Sequence, residues 1–287
     1  MPNANSAKLL AKFSKHLINA SKVVVLAGAG ISTASGLPDF RSPKSGLYSS
    51  VKERFGLDSP ELIFDIHYFR RDPQPFFKIA KELYPGVYPP NVAHWFVRLL
   101  QDKRKLRRMY TQNIDGIERL AGITADNLVE AHGSFATATC QGCRQKYTAD
   151  QLKTPIFNGK VPECKKCQFV IKPDIVFFGE LLPERFMKSA IDMPVADAML
   201  VMGTALEVYP FSGLVDLVRS SVPRLLINKS AVGSFLYPRS NDTIYEGDIV
   251  AGVRQLAALC GWTEELNQLE KSYKNKQNHE HESLPRG

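Results

Sequence analysis

The sequence predicts an α/β protein: a Rossmann-like parallel sheet with helices on both faces, joined to a smaller helical and zinc-ribbon domain. Three observations carry this. Apolar runs of strand length recur and stop at glycine or a small polar residue, as strands of a buried parallel sheet do. The first of them, Val23-Val24-Val25-Leu26-Ala27, runs into Gly28-Ala29-Gly30-Ile31-Ser32. That is a strand–glycine–helix junction, where backbone N–H groups can approach a phosphate. Four cysteines, Cys140, Cys143, Cys164 and Cys167, have the spacing C-x2-C-x20-C-x2-C, with which one chain wraps four thiolates around Zn²⁺.

No acidic residue precedes Asp39, and Lys8, Lys12 and Lys15 alternate with Leu9, Leu10, Phe13 and Leu17 in a helical pattern. The segment could be the end of a mitochondrial transit peptide. Its lack of arginine and its closeness to the first strand favour the first helix of the fold. In the glycine turn, Thr33 holds the third glycine position and the next glycine is Gly36. The acidic residue usual about twenty positions on, at the end of a second short strand, is not evident. Dinucleotide binding is favoured on this spacing, hydride transfer less so.

Further strands are expected at Met109-Tyr110-Thr111, Ile175-Val176-Phe177-Phe178, Ala198-Met199-Leu200-Val201-Met202 and Arg224-Leu225-Leu226-Ile227. Their carboxyl ends should converge on one ligand crevice. Two insertions break the pattern: proline-spaced aromatic helices over 47–107, such as Pro75-Phe76-Phe77-Lys78-Ile79-Ala80, and the cysteine knuckles over 135–172. The expected division is a Rossmann-like domain of 1–46, 108–134 and 173–270, a small domain of 47–107 and 135–172, and a disordered polar tail of 271–287 holding His279 and His281.

With 44% hydrophobic and 23% charged residues over 287 positions, the composition is globular. No apolar run approaches the ~18 residues that span a bilayer, so no membrane partner is expected. The net charge is +8. The densest basic run, Lys103-Arg104-Lys105-Leu106-Arg107-Arg108, reads as a solvated helix end. No aromatic residue interleaves it, so a nucleic-acid stacking surface is not supported. Cys260 sits in an apolar helical stretch and reads as buried. Four thiolates leave a bound zinc no open position, so the metal is structural and the chemistry lies elsewhere. Thiolate ligands and a free thiol fit a reducing compartment.

The motifs Gly28-Ala29-Gly30-Ile31-Ser32, Gly36-Leu37-Pro38-Asp39-Phe40-Arg41, Tyr110-Thr111-Gln112-Asn113-Ile114-Asp115, Glu130-Ala131-His132-Gly133, the four cysteines, Pro173-Asp174-Ile175-Val176-Phe177-Phe178-Gly179-Glu180 and Gly203-Thr204 follow one another in the order seen in sirtuins. The resemblance spans roughly 20–265 and is nearest to the class I group, with spacing after Gly203 similar to the mitochondrial member. It implies an NAD-dependent protein-lysine deacetylase in which NAD is a consumed co-substrate. Nicotinamide leaves the ribose, the acyl oxygen attacks, and a base activates a ribose hydroxyl. The products are nicotinamide, free lysine and O-acyl-ADP-ribose.

By the same resemblance His132 is that base, with Asn113 and Asp115 in the catalytic set. The NAD-binding set is Gly28, Ala29, Gly30, Ile31, Asp39, Phe40, Arg41, Gln112, Asn113, Ile114, Asp115, Gly203, Thr204, Asn228, Asp248 and Ile249. Arg41 has the chemistry of a phosphate clamp, and Phe40 would shield the reactive sugar face. Asp115 with the Ile114 backbone would bind the carboxamide. Val176, Phe177, Phe178, Gly179 and Glu180 would receive acetyl-lysine protein substrates, with the peptide pairing as an added strand. Ala205 departs from the family, which usually has serine there. Tyr48 followed by Val51, in place of tyrosine and arginine three apart, favours acetyl over succinyl groups. The other readings are a protein mono-ADP-ribosyltransferase and a non-catalytic zinc-ribbon interaction module. The expected state is a monomer in the mitochondrial matrix, with cytoplasm or nucleus as the alternative.

Overall fold

Six parallel strands in the order β3-β2-β1-β7-β8-β9 form the main sheet of the computed structural model, which describes residues 4–40 and 46–282. They are β1 (Val23–Ala27), β2 (Leu106–Thr111), β3 (Leu128–Glu130), β7 (Ala198–Met202), β8 (Arg224–Asn228) and β9 (Asp242–Glu246). A second, antiparallel sheet in the order β5-β4-β6 contains β4 (Gly133–Cys140), β5 (Lys146–Thr148) and β6 (Ile171–Ile175). The helices are α1 (Ala4–Asn19), α2 (Gly30–Thr33), α3 (Leu47–Phe55), α4 (Ile66–Arg71), α5 (Gln74–Ala80), α6 (Val92–Asp102), α7 (Ile117–Leu120), α8 (Ala149–Phe157), α9 (Ser189–Val195), α10 (Ile249–Cys260) and α11 (Thr263–Glu282).

Strand alternation divides the large core in two. Val23, Val25 and Ala27 of β1 join Leu10, Phe13 and Leu17 of α1, with residues of α6, α10 and α11, on one face. Val24 and Leu26 join Met193 of α9 and Phe211 on the other. Every residue of β1, β7 and β8 is buried, which is why β1 and β7 read as unbroken apolar runs and β8 carries Leu225, Leu226 and Ile227 between its polar ends. The third core is aromatic. Phe64, Phe69, Phe76, Phe135 and Phe177 meet in it with Cys140 and Cys164, mostly edge to face, as at Phe76–Phe177 with centroids 5.1 Å apart. Helices α3, α4, α5 and α8 and the small sheet share it, so both insertions build one module.

Five expectations are corrected. The run Ile175–Phe178 is not a strand of the parallel sheet: β6 ends at Ile175 and pairs antiparallel with β4. The domain boundary at 173 therefore moves, because 171–175 belongs to the small sheet. Helix α6, counted with the small module over 47–107, packs through Phe96, Val97 and Leu100 on the parallel sheet instead. The basic run is not a solvated helix end. Helix α6 stops at Asp102, Leu106 begins β2, and Arg107 and Arg108 both pair with buried Asp192. The expected disordered tail from 271 is helical through Glu282. Leu269 and Tyr273 pack on the core that holds Trp262 and Leu266, and the Tyr273 ring lies 5.1 Å from that of Trp95. This anchors the first half of α11 despite its polar sequence. Cys260 is buried as expected, and burial pushes its thiol up to about 12.

Candidate functional site

Strands β1, β7 and β8 end together, and their loops are bonded to one another. Gly28 N–H donates to Met202 O at 3.1 Å, Gly30 N–H to Gly203 O at 2.8 Å, and Gly203 N–H to Ile227 O at 3.2 Å. The approach is so close that a Cβ on Gly30 would lie 2.6 Å from Gly203 Cα. Gly203 itself has φ +61° and faces Ile31 N across the same gap. Asn91, the cap of α6, fastens the junction from outside: its Nδ2 donates to Ile31 O at 2.7 Å and to Ser35 Oγ at 2.8 Å.

Above these ends lies a cleft of about 1660 Å³ between the two modules. Its wall includes Ala29, Gly30, Asp39, Phe40, Gln112, Asn113, Ile114, His132, Gly203, Thr204, Asn228, Asp248 and Ile249, together with Val176 through Glu180. These are most of the residues singled out from the sequence. Gly28, Ile31 and Asp115 lie behind the wall, and Arg41 falls outside the described residues.

His132 follows β3 at the cleft. Its main-chain oxygen accepts from Val176 N–H at 2.8 Å, so the residue joins the two sheets. Its Nδ1 lies 3.1 Å from Gln112 O. A carbonyl oxygen can only accept, so Nδ1 carries the hydrogen in the neutral ring and the lone pair falls on Nε2. Gln112 is itself held by its side chain, whose Oε1 accepts from Thr204 Oγ1 at 2.6 Å.

Behind the wall a polar relay runs inward. Asn113 Nδ2 donates to Ser32 Oγ at 3.2 Å, and Ser32 Oγ donates to Asp115 Oδ2 at 2.8 Å. Asp115 Oδ1 accepts from Ile117 N–H at 2.9 Å. The Asp115 carboxylate thus orients Ser32 and, through it, the Asn113 amide. Burial raises its pKa above the ordinary carboxylate range. Glu118, one turn on, is fully buried, and the Thr111 hydroxyl only partly offsets the cost of its charge. Burial, and then the charge of Asp115, push it up to about 8. Glu130 nearby is paired with Arg119, whose Nε lies 2.8 Å from Oε1. Sequence reasoning passed over Glu118; beside Arg119 on a short helix it reads as one half of an exposed ion pair, so the sequence held no clear signal.

The ends of the cleft differ. On the β8 side Asn228 Nδ2 donates to Ser230 O at 2.9 Å, and Asp248 caps α10 by accepting from Ala251 N–H at 2.8 Å. On the module side the segment after β6 is pinned by its backbone. Phe178 N–H donates to Phe64 O at 2.8 Å, and Phe178 O accepts from Ile66 N–H at 3.1 Å. Part of the edge expected to pair with a peptide is therefore occupied by the chain itself.

The four cysteine sulfurs lie within 4.8 Å of one another in the module beyond β4 and β6. Four converging thiols with Cys140 and Cys164 buried fit a tetrahedral zinc ion, and among the described residues no histidine or carboxylate joins the cluster. The site stands apart from the cleft: none of the four cysteines lines it.

A profile of the Sir2 family matches residues 28–210. The chain belongs to the Sir2 family. It is 55% identical over 247 residues to the NAD-dependent protein deacetylase sirtuin-3 of Mus musculus, covering 86% of this chain and 74% of that protein. It is 44% identical over 268 residues to the NAD-dependent protein deacetylase sirtuin-2 of Danio rerio, covering 87% and 70%. The NAD-dependent protein deacetylase hst2 of Schizosaccharomyces pombe is 46% identical over 249 residues, covering 86% and 74%. The profile spans the glycine junction, the Gln112–Asp115 relay, His132, the cysteines and the Gly203 loop, while the Asn228 and Asp248 end of the cleft lies beyond it.

Proposed function

We propose that this chain is an NAD-dependent protein-lysine deacetylase that transfers the acetyl group to ADP-ribose with release of nicotinamide. The observation that carries it is the His132 ring at the cleft wall, with Nδ1–H fixed on Gln112 O and the lone pair on Nε2. A base so oriented suits general-base chemistry near neutral pH. The family's own activity and the names of the relatives support the same reading.

When bound, NAD supplies the ADP-ribose that accepts the acyl group. The chain's residues would do the rest. The close-packed Gly28–Gly30 and Gly203 backbones form a floor on which a diphosphate can lie without Cβ interference. Thr204 and Asn228 line the end of the cleft suited to the adenosine half. The Asp115–Ser32–Asn113 relay holds the amide of Asn113 toward the reacting end. His132 Nε2 takes the proton that must leave for the acyl group to move. Val176 to Glu180 wall the acetyl-lysine side chain off from water. Cys140, Cys143, Cys164 and Cys167 would hold a zinc ion that ties the small sheet together and takes no part in proton transfer.

The site roles, a monomeric state and a location in the mitochondrial matrix are parts of this proposal. The greater identity with sirtuin-3 than with sirtuin-2 favours the matrix over the cytoplasm or nucleus. The deciding assay is nicotinamide release from NAD with and without an acetyl-lysine peptide, with products weighed by mass spectrometry. Free lysine and O-acetyl-ADP-ribose are expected; ADP-ribose attached to protein would favour mono-ADP-ribosyl transfer instead. His132→Tyr should lower deacetylation by ~10²–10⁴-fold while NAD still binds. Near-native turnover in that variant would remove His132 from the base role.

A further inference from the structure

Lys172 is the second residue of β6, and its side chain is 4% exposed. Its ammonium donates to Ile175 O at 2.6 Å, Pro173 O at 3.3 Å and Glu180 Oε2 at 2.8 Å. It also lies 4.1 Å from the centre of the Phe177 ring. Glu180 Oε2 in turn accepts from Phe177 N–H at 2.8 Å. The chain from 172 to 180 is thus folded around one buried cation. The part it encloses, Ile175 to Glu180, is cleft wall.

The β4–β6 register ends at Ile175, and beyond it the segment keeps only isolated backbone ties, one from Val176 and a single bridge at Phe178. The backbone ties to His132, Phe64 and Ile66 hold its outer side, through Val176 and Phe178. Lys172 holds its inner side. A buried ammonium is costly unless paired, and a carboxylate plus two carbonyls and an aromatic face repay that cost only in this geometry. At its other end β6 is in register with β4, with Ile171 opposite Cys140 and Lys172 opposite Thr139. The lysine therefore stands between the four-cysteine cluster and the cleft.

We propose that Lys172 is a positioning residue for the acyl-lysine wall, acting through Glu180 and Phe177, and that it carries the order of the four-cysteine module into the substrate end of the cleft. Glu180 then works by facing inward onto Lys172 and Phe177 rather than by contacting substrate. This rests on the deacetylase reading of the cleft.

Steady-state kinetics on full-length protein test it. Lys172→Met keeps length and removes all donors. The expected result is a peptide KM raised at least ~10-fold, with the NAD KM within about twofold of wild type and zinc content unchanged, because only one end of the cleft loses its support. Glu180→Gln keeps an acceptor for Phe177 N–H but removes the charge, so it should move the peptide KM the same way by less. This second variant tests the proposal even if Lys172→Met does not fold. In the double variant the two effects should be clearly less than additive, since both break one contact. An unaltered peptide KM in an active single variant would overturn the inference. So would full additivity, which would assign Glu180 a separate contact with substrate. Absence of deacetylation by the wild-type protein is a different result, and would overturn the functional reading itself.

Discussion

Replacing Glu118 with glutamine should make the protein's stability less sensitive to rising pH. Glu118 is completely buried beside buried Asp115, and its pKa is pushed from 4.5 up to about 8. Arg119, on the same helix, gives its hydrogen bonds to Glu130, so its charge relieves Glu118 only at a distance. An acid whose pKa rises on folding keeps in the fold a proton that the unfolded chain gives up. Its contribution is intact below pH 4.5 and is lost as pH climbs toward 8. Because Asp115 and Glu118 interact, the proton belongs to the pair. One proton of difference is worth about 1.4 kcal/mol per pH unit. Between pH 5.5 and 7.5 the wild-type chain should therefore lose up to about 3 kcal/mol relative to Glu118→Gln, which has the same shape and no titration. Melting temperatures of both proteins, taken at half-unit steps across that range, measure it. A gap that widens by several degrees is expected. Parallel curves would mean that Glu118 is ionised in the fold and has found a partner, and the buried-acid argument would fail.

Other outcomes follow from the same geometry. Cys164→Ala should lose zinc and soluble fold together, since the cluster is closed by the small module's own sheet; a metal-free variant retaining its circular dichroism and activity would contradict this. Ala205, exposed on the cleft wall, lacks a hydroxyl, so Ala205→Ser should lower the NAD KM a few-fold, as one hydrogen bond of about 1 kcal/mol does; an unchanged or raised KM would show the cofactor already satisfied there. Acetyl-lysine peptide should exceed its succinyl counterpart by at least ~100-fold in kcat/KM, because Val51 is fully buried in the aromatic core and offers no cation to an acyl carboxylate; equal efficiencies would reveal a basic group that reaches the tunnel.

Much of the cleft was legible in the sequence because its residues sit where apolar runs end. Val23–Ala27 and Ala198–Met202 are strands at the bounds their composition suggests, and the loops after them line the site. The helix over Lys8–Leu17 was legible because Leu10, Phe13 and Leu17 form one buried face. Pairing partners were not legible. Ile175–Phe178 has the composition of a central strand, but only Ile175 and Phe177 enter the aromatic core of the small module, and Phe178 is exposed. Nothing local distinguishes that from a place in the large sheet. Strands β3 and β9 are short or mixed in polarity and gave no run to read. Lys172 and Glu118 were invisible for a related reason: a charged residue reads as exposed until tertiary contacts bury it. Arg108, buried against Asp192, was hidden the same way inside its basic run.

The strand order has a consequence for how the protein is made. Strand β1 lies in the middle of the sheet, between β2 and β7. Its first neighbour is reached at Leu106, but its second only at Ala198. During synthesis β3, β2 and β1 can therefore assemble while β1 still presents one whole open edge, five residues of Val, Val, Val, Leu and Ala that the finished protein buries completely. At ribosomal speeds of roughly 5–20 residues per second, that edge waits several seconds for its partner. Open apolar edges of this kind invite pairing with other chains. The nascent chain should need its greatest protection after the cysteine module emerges and before Met202 does, and fragments ending in that interval should be its most aggregation-prone forms.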